Sequence, residues 1–297
     1  MRSSYLAFAA VLAGAVSGAI GQVVNSLPSS RYGLWNLLDS RSVYGQYWFV
    51  EPLRAPEMDV DRELRLDWFH AEGKGSQSDE VTAELEYNFG LLTVEVEVPY
   101  INNRTSRFDA ELKKEVRSRE EGIDNIELSA RHPVFQWVSA GGAFDYTLAG
   151  AMEVAVPSGS SFSKDTELVP QVFQLLRLGE HVSVEASAGW TVLIGPVARG
   201  QNSLEYNVVL GYNLEREQIS LPGVQRVIPI FELNGNTGLS HEERGENALF
   251  GTAGFRVNLN AVGIAQPRLG IGYVFPIDQG ARDEIRWGFV TSLVFEF

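Results

Sequence analysis

From about residue 62 to its end, the chain repeats one pattern: spans of roughly 10–14 residues in which apolar and polar side chains alternate, separated by turn-rich stretches. Twofold alternation belongs to a strand with one face in an apolar medium and the other among polar groups. The length of these spans is the tighter constraint. Soluble strands usually run about 5–6 residues, whereas a strand tilted across bilayer hydrocarbon needs about 9–11. A sheet built from such strands can meet hydrocarbon only if it closes on itself, because an open edge would leave N–H and C=O groups without partners.

The pair 80–89 and 91–101 shows the pattern. Val81, Ala83, Leu85 and Tyr87 share one face, and Thr82, Glu84, Glu86 and Asn88 share the other. After a turn at Asn88-Phe89-Gly90, Leu92, Val94, Val96, Val98 and Tyr100 oppose Thr93, Glu95 and Glu97. Segments 182–194 and 204–214 alternate in the same way. The candidate strands are 62–71, 80–89, 91–101, 123–133, 143–156, 165–178, 181–194, 202–214, 225–235, 247–258, 266–276 and 284–297. Twelve is an even number, as a single-chain barrel with both termini on one side requires. The expected fold is therefore all-β, a closed antiparallel transmembrane β-barrel of about 12 strands. Connections after odd-numbered strands are expected outside the cell, among them the charged stretch 102–122, within which 109–121 reads as a solvated loop by default, with a short helix as the alternative. Aromatic residues near strand ends, such as Tyr87, Tyr212 and Trp287, suit the two membrane interfaces.

Composition narrows the partners. No stretch after residue 21 approaches the roughly 20 apolar residues of a spanning helix. The net charge is −14, which argues against nucleic acid as a partner. The absence of cysteine excludes disulfides and thiolate sites. Residues 1–21 read as a signal peptide: Arg2, an apolar run from Tyr5 to Val16, and small residues in Ala19-Ile20-Gly21 before a cleavage point at Gln22. Residues 22–60 lack clean alternation but hold Tyr32, Trp35, Tyr44, Tyr47, Trp48 and Phe49. Three readings stand for them: a plug inside the barrel, a periplasmic extension, or an extra strand around 43–51. Residues 61–297 form the barrel.

If the apolar faces meet lipid, the opposite faces line a lumen. The candidate lumen-lining residues are Glu84, Glu86, Glu95, Glu97, Glu127, Arg131, Glu185, Glu205, Glu232, Arg256, Arg268 and Arg286. Glu63, Asp67, Asp145, Glu153, Glu296 and Arg65 fall on the same faces. Acids concentrate in early and middle strands and arginines in the last ones. That arrangement would either set up a transverse field that favours cations or pair charges to fill a narrow interior.

No catalytic, cofactor or metal site is expected. None of the four histidines belongs to a His-Glu-x-x-His pair, and no Gly-x-Ser-x-Gly elbow occurs. Asp59-Val60-Asp61 is a poor Ca²⁺ motif without the rest of a binding loop.

Several short stretches carry a family resemblance. Gly122-Ile123-Asp124-Asn125-Ile126-Glu127-Leu128 with Ala130-Arg131, Val156-Pro157-Ser158-Gly159, Phe231-Glu232-Leu233-Asn234-Gly235, and Leu269-Gly270-Ile271-Gly272-Tyr273 are the relevant ones. With the terminal Phe297, they resemble the outer-membrane β-barrel proteins labelled for the MetA pathway of phenol degradation. The resemblance implies an outer-membrane channel or transporter for passive uptake of small molecules, hydrophobic or aromatic ones among them. The alternative is a closed structural or adhesive barrel that acts through its external loops. A soluble periplasmic β-protein is the third reading. The expected partners are outer-membrane lipid, a small-molecule solute, and the barrel-assembly machinery, which would read the carboxyl-terminal Phe297.

Overall fold

The protein is described by a computed structural model covering residues 21–23, 50–57, 62–89, 92–109, 114–139, 143–160, 164–196, 201–240 and 244–297. The signal-peptide expectation falls outside these residues apart from Gly21, as does Asp59-Val60-Asp61.

Twelve staves form the wall: β1 (Glu63–Glu72), β2 (Ser76–Asn88), β3 (Thr93–Asp109), β4 (Ile126–Ser139), β5 (Phe144–Val156), β6 (Thr166–Leu178), β7 (Val182–Ile194), β8 (Asn202–Tyr212), β9 (Val224–Gly238), β10 (Asn247–Leu259), β11 (Gln266–Pro276) and β12 (Trp287–Glu296). Each pairs antiparallel with its neighbours in sequence, and the last returns to the first through a ladder from Trp287↔Glu72 to Glu296↔Glu63. The sheet has no free edge at this seam, which is what hydrocarbon demands. Between β3 and β4 the ladder spans Thr93↔Arg131 to Glu97↔Glu127; beyond it β3 pairs instead with a further strand, Lys114–Ile123.

The alternation puts polar groups inside and apolar groups outside. Glu63, Glu86, Glu232, Arg177 and Arg256 are fully buried, while Leu64, Leu66, Leu85, Trp190, Leu210, Phe255 and Tyr273 are exposed on the outer face. A soluble β-protein has the reverse order. Rings gather toward both ends of the wall. Trp68, His70, Trp287 and Phe289 adjoin at one end, and at the other lie the pairs Tyr87–Phe89, Trp137–Phe144 and His181–Tyr212. A charge placed on the outer face midway along a stave is therefore costly. Val208→Arg, at the middle of β8, is expected to lower stability by about 2–4 kcal/mol, read as a shift in urea unfolding from lipid vesicles. An unchanged midpoint would place that face in water.

Three expectations about the connections need correction. Where 109–121 reads as a loop or a short helix, the described residues are strand: Asp109 ends β3 and 114–121 belong to the strand Lys114–Ile123, which pairs with β3 beyond the barrel rim. Both faces of this ladder carry polar residues such as Asn102, Asn103, Arg119 and Glu121, so the alternation that marks lipid-facing strands is missing. β2 starts at Ser76, four residues earlier than its alternation suggested, after a tight turn through Gly75 at φ +80°. β4 continues past Pro133 to Ser139 because a register shift between Pro133 and Phe135 accommodates the proline without a ladder donor.

On the side of the odd connections, helix α2 (Gln279–Glu284) follows β11; α1 (Arg216–Ile219) lies on the other side, between β8 and β9. Asp278 caps α2, accepting from Ala281 N at 3.0 Å and from Leu249 N at 3.0 Å. Partial desolvation works to raise the Asp278 carboxyl, but the Ala281 and Leu249 N–H groups and Asn247 outweigh it and hold the group below the usual carboxylate range.

Candidate functional site

The site is the barrel interior, and residues 50–57 cross it. Val50, Leu53 and Ala55 form a buried apolar cluster with Val209 on β8, Ile228 and Ile230 on β9, Val274 on β11 and Val290 on β12. Glycines on the inner face make room. A Cβ built on Gly270 or Gly272 would lie 2.7 or 2.9 Å from Leu53, and one on Gly211 would lie 2.6 Å from Val50. All three distances are too close for real carbon contacts, so these positions exclude any larger side chain while the segment is in place.

Irregular backbone inside a barrel has no ladder to satisfy it and must find side-chain partners. Glu232 on β9 accepts three successive N–H groups, from Leu53 at 2.5 Å, Arg54 at 3.1 Å and Ala55 at 3.2 Å. Arginines serve the carbonyls. Arg256 donates to Glu51 O at 3.2 Å and Pro52 O at 2.5 Å. Arg65 donates to Pro52 O at 3.3 Å and Leu53 O at 3.4 Å, and Arg131 donates to Glu57 O at 2.8 Å. The segment's carboxylates are paired as well: Glu51 with Arg268 at 2.6 Å and with Arg256, and Glu57 with Arg65 at 3.4 Å. The planar guanidinium, with five donors in a fixed fork, can bridge backbone and carboxylate at once, and with more donors than the three of a lysine ammonium.

Beside the segment lies a cavity of about 360 Å³ between residues 53–57 and the inner faces of β1 to β6, β8 and β12. Its lining holds ten acids (Glu57, Asp67, Glu80, Glu84, Glu95, Glu97, Glu127, Glu153, Glu167 and Glu205) against three arginines (Arg54, Arg65 and Arg131), seven more acids than arginines. Some acids face each other directly: Glu84↔Glu97 and Glu86↔Glu95 across β2–β3, and Glu97↔Glu127 across β3–β4. Like charges opposite one another repel, so the cavity gains from any cation that enters. Polar neighbours hold several of the carboxylates in place. Gln171 donates to Glu153 at 2.9 Å, Asn125 to Glu167 at 3.1 Å and Thr191 to Glu205 at 2.5 Å.

The structure distributes the sequence-derived candidates over three environments. Glu84, Glu95, Glu97, Glu127, Arg131 and Glu205 line the cavity. Glu86, Glu232, Arg256 and Arg268 are buried against residues 50–57 or their ion-pair partners, and Glu185 borders a small void that includes Ala55 and Pro56. Arg286 is the exception. It precedes β12, is exposed, and its backbone N–H donates to Glu72 O at 2.6 Å. The alternation in sequence runs past the end of the stave, and there it no longer fixes which way a side chain points. Glu80 and Glu167 were missed, although both follow the inward parity of their staves. Glu51, Leu53, Arg54 and Glu57 carried no periodic signal at all.

The wall closes, its outer face is apolar, and its inner face is charged. This is the fold of an outer-membrane β-barrel. No protein-family profile matches the chain, and no curated protein does. Among solved structures, the barrel is similar to the COG4313 outer membrane channel from Pseudomonas putida F1, at 16% identity and a TM-score of 0.50 over 84% of this chain and 100% of that one. The NanC porin (7% identity, TM-score 0.44, 79% of this chain and 98% of that one) and the KdgM porin (13%, 0.41, 78% and 99%) also align. At such identities the likeness speaks to the outer-membrane barrel fold alone.

Proposed function

We propose that the chain is an outer-membrane channel that passes small cations and cationic organic solutes, with residues 50–57 as a plug that narrows the lumen. The observation that carries this reading is the cavity with seven more acids than arginines. A confined site of one charge sign concentrates counter-ions and repels co-ions. Phe69, Val169, Phe173 and Val290 give the same cavity an apolar patch. That patch would suit the organic part of such a solute and accords with the MetA-pathway resemblance, whose aromatic cargo remains the finer form of the proposal. On this reading Glu97, Glu127 and Glu153 set selectivity, residues 1–21 direct export, and Phe297 is read during assembly.

A barrel closed by its plug is the second reading, and the number of bonds to residues 50–57 favours it. Planar-bilayer recordings separate the two. In a KCl gradient, the channel is expected to prefer K⁺, and the Glu97→Gln/Glu127→Gln/Glu153→Gln triple variant is expected to lower the K⁺-to-Cl⁻ permeability ratio by about threefold or more. Conductance without cation preference would sink the selectivity assignment. No conductance above background would favour the closed barrel.

A further inference from the structure

The interior holds one carboxylate that the channel reading does not use. Glu63 opens β1 and is fully buried, yet neither of its side-chain oxygens has a hydrogen-bond donor. The nearest cation among its ion-pair contacts is Arg268, with Nη1 at 4.0 Å. Its ladder partners on both sides are also acids, Glu86 on β2 and Glu296 on β12. Above it hang Glu51 and Glu57 from the lumenal segment. One oxygen from each of Glu51, Glu57 and Glu63 lies within 4.8 Å of the others, and Glu63, Glu84 and Glu86 form a second set that meets the same limit.

An ionised carboxylate in a dry interior without donors is costly, and such groups pair, bind metal or take up a proton. The buried arginines do not suffice. Among the described residues, ten buried acids (Glu51, Glu57, Glu63, Glu84, Glu86, Glu95, Asp145, Glu185, Glu232 and Glu296) stand against seven buried arginines (Arg62, Arg65, Arg131, Arg177, Arg226, Arg256 and Arg268), three more acids than arginines. Glu57 Oε1 is also buried without a donor. The lone carboxylate, the orphaned oxygen beside it and the charge deficit all point to a dication.

We propose that Glu51, Glu57 and Glu63 bind one Ca²⁺ ion, which ties the lumenal segment to the barrel wall where β12 meets β1. The spacing suits this ion. Two oxygens across Ca²⁺ stand about twice the metal–oxygen distance of about 2.4 Å apart, so a set within that limit can share it. The donor set is all oxygen, as a hard cation requires, and its irregular shape fits Ca²⁺ better than Mg²⁺, which demands an octahedron and keeps its waters. Glu84 and Glu86 lie close enough to complete the shell from β2. The site links Glu51 and Glu57, which move with the segment, to Glu63, which cannot move without the wall. The ion is thus a clasp on the plug. This inference rests on the placement of residues 50–57 and not on the channel reading, so a barrel that conducts nothing and still binds Ca²⁺ retains it.

Isothermal titration of the full-length protein in detergent, stripped with EDTA and then titrated with CaCl₂, tests the proposal. One Ca²⁺ per barrel is expected, with a higher thermal unfolding midpoint when Ca²⁺ is present. Glu63→Gln keeps the side chain's size and removes its charge, and is expected to weaken binding by about 100-fold or more. Glu217→Gln, on the exposed α1, is expected to bind as the wild type does. Absence of saturable binding and of any Ca²⁺-dependent midpoint shift in the wild-type protein overturns the site whatever the variants do. So does wild-type affinity in a Glu63→Gln protein whose heat-modifiable gel mobility shows that it has folded.

Discussion

A variant lacking residues 22–57 is expected to fold, to show heat-modifiable mobility, and to conduct about threefold or more better than the full protein in planar bilayers, because residues 50–57 cross the barrel interior and their removal clears it. The wall does not need the segment for closure. Every stave-to-stave ladder, including β12 to β1, is independent of it. What the segment occupies is space: Leu53 lies against Gly270 and Gly272, and Val50 against Gly211. Its removal exposes those glycines and leaves Glu232 without the three N–H donors it now receives. A milder version fills the space from the wall. Gly211→Val with Gly270→Val should push Val50 and Leu53 from their seats and raise conductance in the same direction. If the deletion conducts no more than the full chain, residues 50–57 do not restrict passage and the plug reading fails.

The second large effect is on stability. Arg268→Met is expected to cost about 3–5 kcal/mol, since removing one partner of a buried ionic network strands the others. Arg268 is 1% exposed and its guanidinium serves Glu51, Glu296 and, at 4.0 Å, Glu63. All three carboxylates are buried, so none can turn to water when the cation is gone. The exposed pair Lys74–Asp283 is the contrast. Its charges lie 3.1 Å apart with both side chains more than half exposed, and Lys74→Met is expected to leave the unfolding midpoint unchanged. Urea unfolding in lipid vesicles measures both. Equal effects for the two substitutions would mean that the interior is wetter than its burial implies, and a small effect for Arg268→Met would mean that the network relaxes around the loss.

The wall was legible because of one physical fact. Where a strand has lipid on one face and a polar interior on the other, every second residue declares its side. Glu84, Glu95, Glu97, Glu127 and Glu205 were readable as inward-facing on that ground alone, and each borders the cavity. The rule fails wherever its cause is absent. Beyond the barrel rim, Asn102 to Ser106 pair with Arg117 to Glu121 and both faces carry polar residues, so this ladder left no apolar stripe to read. At Arg286 the alternation persisted after the ladder had ended, and the side chain lies exposed at the barrel end.

By itself the sequence determined the closed all-β barrel, its twelve staves and the face on which most charges lie, because strand period and bilayer thickness are local requirements that each segment meets alone. The tertiary structure decided what the interior contains. Glu51, Leu53, Arg54 and Glu57 sit in a stretch without periodicity, and their partners Glu232, Arg256, Arg268, Arg65 and Arg131 come from five different staves. Which acid meets an arginine, and which one, like Glu63, is left over, depends on how the closed wall brings distant staves around one short segment, and no local pattern records that geometry.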